Sequence, residues 1–222
     1  MAKHVDEKLQ DSSYLKEAVQ KYKTEMAEVG ADDELAADFD ARIQNVTLKD
    51  TAHKEAGNLI RQKTAEQQTA IRESVGAIRI VKEAAKDVFY GKSEIIDEFH
   101  PGLQVNTVKA ALTELPYFIE LTTRRLDDLS KAGIGQANLD ELNRCYTQIR
   151  TVDSEQENAK RVRTAAYNER EAALKSLQEL MYRIRRKADI RFADNPDIRN
   201  EFRTIIRRRK SSATENPPTT EE

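Results

Sequence analysis

Leu15, Val19, Tyr22, Met26 and Val29 recur at spacings of 4, 3, 4 and 3. That period places them on one face of an amphipathic helix. Residues 1–11 ahead of it read as a polar lead-in, and Ser12 or Ser13 is the expected cap, with Glu17 near the first turn. Gly30 follows the stripe where a left-handed residue ends a helix. Asp32 and Asp33 then favour a new helix N-terminus, by capping and by the helix dipole. So short a linker predicts that the two helices run antiparallel.

From Asp33 to Phe89 the chain has no proline, and its only glycines are Gly57 and Gly76. One apolar seam runs through Leu35, Phe39, Ile43 and Val46, and another through Ile71, Val75, Ile78, Val81, Ala85 and Phe89. Between them the seam thins to Ala52, Ala56, Leu59 and Ile60. One reading is a continuous helix of roughly 57 residues, about 85 Å long. The other is a break near Thr47–Asp50, where T-L-K-D can cap a fresh helix. Continuity is preferred, because nothing between 33 and 89 enforces a break. His100-Pro101-Gly102 then ends the first half.

The second half repeats the plan. Asn106 is the expected cap of a helix whose pattern runs through Pro116, where a kink or fresh start is expected. Phe118, Leu121, Leu126, Leu129 and the stop at Gly133 come next. Asn138 with Glu141 marks the next N-terminus, and that helix carries Leu139, Leu142, Tyr146 and Ile149. After a polar stretch it continues through Leu174, Leu177, Met181, Ile184, Ala188 and Phe192. Whether 138–192 breaks near 151–154 is open in the same way as the first half.

One stretch occurs twice. Ala85, Phe89, Ile95, Glu98 and Phe99 match Ala188, Phe192, Ile198, Glu201 and Phe202 at a constant offset of 103 residues. Residues 26–99 and 129–202 share 10 identities in 74 positions, and five of these fall in the last 15. That clustering, with Gly30 and Gly133 in step, points to a tandem duplication of a unit too long for a solenoid repeat. In each copy a helix end folds back on itself, with the Phe89/Phe99 and Phe192/Phe202 pairs as core. The expected fold is therefore all-α: an elongated helical bundle of two tandem, pseudo-two-fold related repeats. Repeat 1 spans 1–103, repeat 2 spans 104–210, and 211–222 is expected to be a disordered tail.

The ending A-x-x-x-F-x-x-x-P-E-I-x-x-E-F is carried here by Ala188, Phe192, Pro196, Asp197, Ile198, Glu201 and Phe202, with Ser93 replacing the proline in the first copy. With the glycine-punctuated helix pair and the long charged helix, it resembles a group of uncharacterised bacterial all-helical proteins. The resemblance covers most of residues 13–206. It implies a helical bundle and carries over no activity and no functional residues.

Charged residues are 34% of the chain against 38% apolar, with no tryptophan, which suits long helices with narrow seams. Net charge is −2 but uneven: 15 basic against 20 acidic residues in 1–103, and 11 against 4 in 181–210. Cys145 is the only cysteine, so no internal disulfide forms; a reducing compartment fits. The start lacks the apolar region of a signal peptide, and no apolar run reaches membrane-spanning length, so a cytoplasmic protein without a transmembrane segment is expected.

Catalytic chemistry is thin. Asp50-x-x-His53 and Asp97-x-x-His100 have the gap of di-iron pairs, but they carry Asp, and their counterparts are Asp153/Gln156 and Asn200/Arg203. Gly133-Ile134-Gly135 follows a helix rather than a strand and reads as a helix stop. Cys145 sits beside Tyr146 on the apolar face, as packing. No catalytic residue, cofactor or metal is expected. The candidate functional element is the C-terminal helix 197–210. Ile198, Phe202, Ile205 and Ile206 occupy one side, and Arg199, Arg203, Arg207, Arg208, Arg209 and Lys210 form the basic remainder. The leading expectation is a non-enzymatic scaffold or interaction protein that binds a protein partner or a second copy of itself. It rests on thin seams at 47–58 and 151–161 that a partner would complete. The alternative is binding to a nucleic-acid backbone or an anionic surface through the basic helix.

Overall fold

The computed structural model describes residues 2–100 and 104–211, with side chains described in 5–100 and 104–203. Among the described residues 88% are helical and none forms a strand. In chain order the helices are α1 (Ala2–Lys21), α2 (Lys23–Ala27), α3 (Asp33–Val88), α4 (Ser93–Glu98), α5 (Val108–Arg124), α6 (Leu126–Leu129), α7 (Gln136–Arg191) and α8 (Pro196–Ser211). A single 3-10 turn, Ser130–Ala132, follows α6. The protein is an all-α bundle in which α3 and α7 pack closely against each other.

Both long helices are unbroken, at 56 residues each. Thr47, the cap in the alternative reading, stays inside α3: it donates to the Ile43 carbonyl at 3.0 Å, as Thr51 does to the Thr47 carbonyl at 3.0 Å. No Gly or Pro opposes them, so the helix continues. The chain forms two compact units, one from 1–54 with 165–222 and the other from 55–164.

In the first unit α1 runs antiparallel to the start of α3. Lys16 of α1 pairs with Asp40, and Lys23 at the start of α2 pairs with Asp33, so rising numbers along α1 and α2 meet falling numbers along α3. The turn between them is made as the glycine requires. Gly30 has φ 73°, Ala31 N–H reaches back to the Met26 carbonyl at 2.9 Å, and Asp32 Oδ1 accepts from Leu35 N–H at 3.0 Å. Lys187 Nζ donates to the Val29 carbonyl at this helix end. Leu15, Met26, Phe39 and Val46 are buried with Leu174, Leu177, Met181, Ile184, Ala188 and Phe192. Phe192 and Phe202 stack at 5.8 Å, and Tyr22 meets both rings.

The lead-in is a correction. Residues before Ser12 are helical, Val5 is buried, and Ser12 donates to the Leu9 carbonyl inside α1 instead of capping it. Val5, Leu9, Ser12 and Leu15 keep helical spacing, but a buried serine in the seam hides the period from a hydrophobicity pattern.

In the second unit, α4 and α5 cover the far part of α3 and the start of α7. Phe89 and Phe99 stack at 6.2 Å. Phe118, Leu121, Leu129, Leu142 and Ile149 complete the core with Val81 and Ala85. Gly133 has φ 81° and ends this helix run as Gly30 ends the other. Four local expectations are corrected here. Val75 is exposed, and Ser74 takes the buried place, bonded to the Ala70 carbonyl; small Ala70 and Ser74 carry the seam where a larger residue was expected. Thr107, not Asn106, caps α5, because its extended backbone lets Oγ1 accept from Ala110 N–H. Pro116 makes no fresh start: it lies inside α5, and buried Leu115 and Phe118 anchor the turns on either side of the missing N–H. Helix α7 starts at Gln136, and Asn138 reaches back to Gly135 N–H from inside the first turn.

Residues 101–103 and 212–222, including Pro101, Gly102 and most of the expected tail, lie outside the described residues.

Candidate functional site

Midway along α3 and α7 the seam between the helices becomes polar. In the first unit Arg170 is 3% exposed and Asp50 is 6% exposed, burial that charged side chains tolerate only when paired. Arg170 Nη1 lies 3.6 Å from Asp50 Oδ1 and 3.1 Å from His53 Nδ1. A guanidinium only donates, so Nδ1 of His53 is the acceptor in this contact. Glu171 takes Nη2 at 2.9 Å, and the Tyr167 ring lies 5.2 Å from the guanidinium carbon. Lys54 binds the other Asp50 oxygen at 2.7 Å, and this hydrogen bond holds its ammonium above the usual lysine range.

The second unit holds a counterpart in which an amide replaces the guanidinium. Gln67 Nε2 donates to Asp153 Oδ1 at 3.3 Å and to Gln156 Oε1 at 3.2 Å, while Gln156 donates to Thr64 at 3.2 Å. Asp50, His53 and Gln67 on α3 stand 103 positions before Asp153, Gln156 and Arg170 on α7. Each cluster thus sets one long side chain of one helix against an Asp-x-x-His or Asp-x-x-Gln pair of the other. Other contacts recur at the same offset. Glu98 binds Arg124 and Arg125, each at 3.0 Å, and Glu201 binds Lys21 at 2.9 Å and Tyr22 at 3.0 Å.

Within the second unit, residues 55–69 and 153–164 are the thinnest part of the bundle. Ala56 and Ala159 are their only buried residues among those described. Lys63 ties this stretch together by binding Glu66 at 2.8 Å and Glu155 at 2.9 Å. A shallow groove of about 410 Å³ lies beside it, lined by Gln62, Ala65, Glu66, Thr69, Gln148 and Val152.

The basic C-terminal helix is partly engaged within its own unit. Arg203 pairs with Asp189 of α7, Arg199 is half-buried, and Phe202 is in the core. The side chains of Ile205, Ile206, Arg207, Arg208, Arg209 and Lys210 lie outside the described residues. Earlier on the same face of the unit, Arg185 donates to the Phe202 carbonyl at 3.3 Å, and burial lowers its pKa.

The histidine motifs do not converge. Asp50 and His53 face the Arg170 cation, and Asp97 and His100 are exposed on and beside α4. Among the described residues no group of three His, Cys, Asp or Glu side chains is placed to hold a metal. Cys145 is fully buried in the second core, and burial raises its thiol pKa, which disfavours the thiolate. Among the described residues no helix is long and apolar enough to cross a membrane. Sequence reasoning passed over Arg170 and Gln67. The available signal was Asp50 and Asp153, an offset identity inside an otherwise featureless polar stretch. Comparison of the chain with protein-family models, curated proteins and solved structures finds no match.

Proposed function

We propose that this protein is a non-enzymatic helical scaffold that works by contact with a protein partner, a second copy of itself included. The observation that carries the reading is the stretch 55–69 with 153–164, where two helices run together with only two alanines buried. Paired helices with so small an apolar seam gain little from each other, and a partner helix laid along them would complete the packing. The groove lined by Gln62, Ala65 and Val152 is the natural place for such contact to begin. The tandem duplication belongs to the same proposal. The equal length of α3 and α7, the glycine stops and the Glu98 and Glu201 ties, all in step at 103 residues, support it. A cytoplasmic location goes with it, on the strength of the single buried cysteine.

Native mass measured over a range of concentrations, with pull-down from the source cell, tests this. Self-association or a stoichiometric partner is expected, and substitutions of Gln62 and Ala65 by Glu should weaken it. A strict monomer that recovers no partner sinks the scaffold reading. Low-salt binding to DNA, RNA or anionic vesicles, falling steeply with salt, would transfer the function to Arg199, Arg203, Arg207, Arg208, Arg209 and Lys210. The pairing of Arg203 with Asp189 weighs against that alternative.

A further inference from the structure

We infer that the Asp50–His53–Arg170 and Asp153–Gln156–Gln67 clusters are two copies of one register lock, one built on a guanidinium and one on a side-chain amide, that fix α3 against α7. Between the apolar ends of the two helices the seam offers Ala56 and Ala159, whose small side chains fit a neighbouring helix about equally well after a slide of one turn. A buried guanidinium does not. Arg170, 3% exposed, meets a carboxylate and an imidazole nitrogen only when opposite residues 50 and 53. One turn earlier on α3 Val46 or Thr47 would take the place of Asp50, and Lys49 or Asp50 the place of His53, so the guanidinium would keep at most one of its two partners. Leaving a buried charge short of a partner is the costly alternative that makes such a group a register device.

The second cluster obeys the same arithmetic. Gln67 reaches Asp153 and Gln156, and in both clusters the long side chain spans a pair three residues apart on the opposite helix. A slide of α7 along α3 by about 5.4 Å, one turn, therefore takes at least one partner from each set at once. Losing one set leaves the other to hold the register. The clusters act by excluding alternatives, so they contribute specificity rather than bulk stability.

Spin labels on exposed Ala41 of α3 and Asn168 of α7, in full-length protein carrying Cys145→Ala, report the register as a distance distribution. Converting the guanidinium set to the amide one, with His53→Gln and Arg170→Gln, should leave a single distance equal to that of the parent protein. Replacing all six residues by alanine, which keeps helix propensity, should add a second distance displaced by about one turn. The proposal is overturned if the two-residue conversion loses the parent distance, because the clusters are then not equivalent. It is also overturned if the six-alanine chain keeps one native distance, because register is then set elsewhere. A six-alanine chain that no longer folds overturns it as well, since the clusters would then supply stability and not register.

Discussion

Phe202 and Arg203 are neighbours in sequence with opposite roles. Phe202 is 1% exposed and stacks on Phe192, while Arg203 is about half exposed and pairs with Asp189. Phe202→Ala should cost about 3–5 kcal/mol in chemical denaturation, as other buried Phe truncations do. Arg203→Gln should cost less than about 1 kcal/mol, since exposed ion pairs contribute little. Asp50→Ala leaves Arg170 short of a buried partner and should cost roughly 3 kcal/mol. Glu201 gives a pH test. The Lys21 ammonium, through its hydrogen bond, holds this carboxylate below the usual range, and Glu201 in turn raises Lys21. A depressed carboxylate stabilises the fold above its unfolded value of about 4.3 and loses that contribution as pH falls through the folded value. A raised lysine contributes below about 10.4 and loses it as pH rises through the folded value. The tie between α1 and α8 should therefore hold across the neutral range and weaken in acid. Carboxyl NMR titration should show Glu201 returning toward its ordinary value in Lys21→Gln. The phenylalanines were legible as residues of a repeated helical pattern. Asp50 and Arg170 were not, because isolated charges in a polar stretch look like surface whatever their burial.

At the scale of elements, the glycine stops and the long helices follow directly from local chemistry. Gly30 and Gly133 sit at positive φ, where a Cβ is strained against the following carbonyl. Gly133→Ala meets open space and should cost about 1–2 kcal/mol from the backbone alone. Gly30→Ala carries the same strain, and its Cβ would also stand 3.1 Å from Lys187 Nζ, displacing the contact to Val29. It should therefore lower the melting temperature at least as much. Hydrogen exchange should also separate segments of one helix. Amides in 55–69 and 153–164 should exchange faster than those in 70–88 and 136–152, because only the latter lie beneath a packed core. A uniform pattern along each helix would contradict that account. Helix starts were read less well than helix stops. A cap such as Thr107 or Gly135 depends on the local backbone conformation, and neighbouring Asn106 and Asn138 offer equally good side chains on paper.

At the scale of the whole molecule, the sequence by itself determined the fold class and the continuity of the two long helices. It did so through spacing, glycine placement and the lack of any breaker between residues 33 and 88, all of which act within a few residues of chain. It also marked Phe89, Phe99, Phe192 and Phe202 as core, since aromatic residues on an apolar face have nowhere better to go. Tertiary structure alone decided the rest. It buried Ser12 and Ser74 in place of larger apolar residues, left Val75 in solvent, and extended α1 back to Ala2. It set Arg170 against Asp50 and His53, and Gln67 against Asp153 and Gln156, across more than 80 residues of chain. The reason is the range of the forces involved. Helix formation and termination depend on neighbours three or four residues away. Whether a serine or an arginine is buried depends on what the opposite helix presents, which local periodicity does not encode.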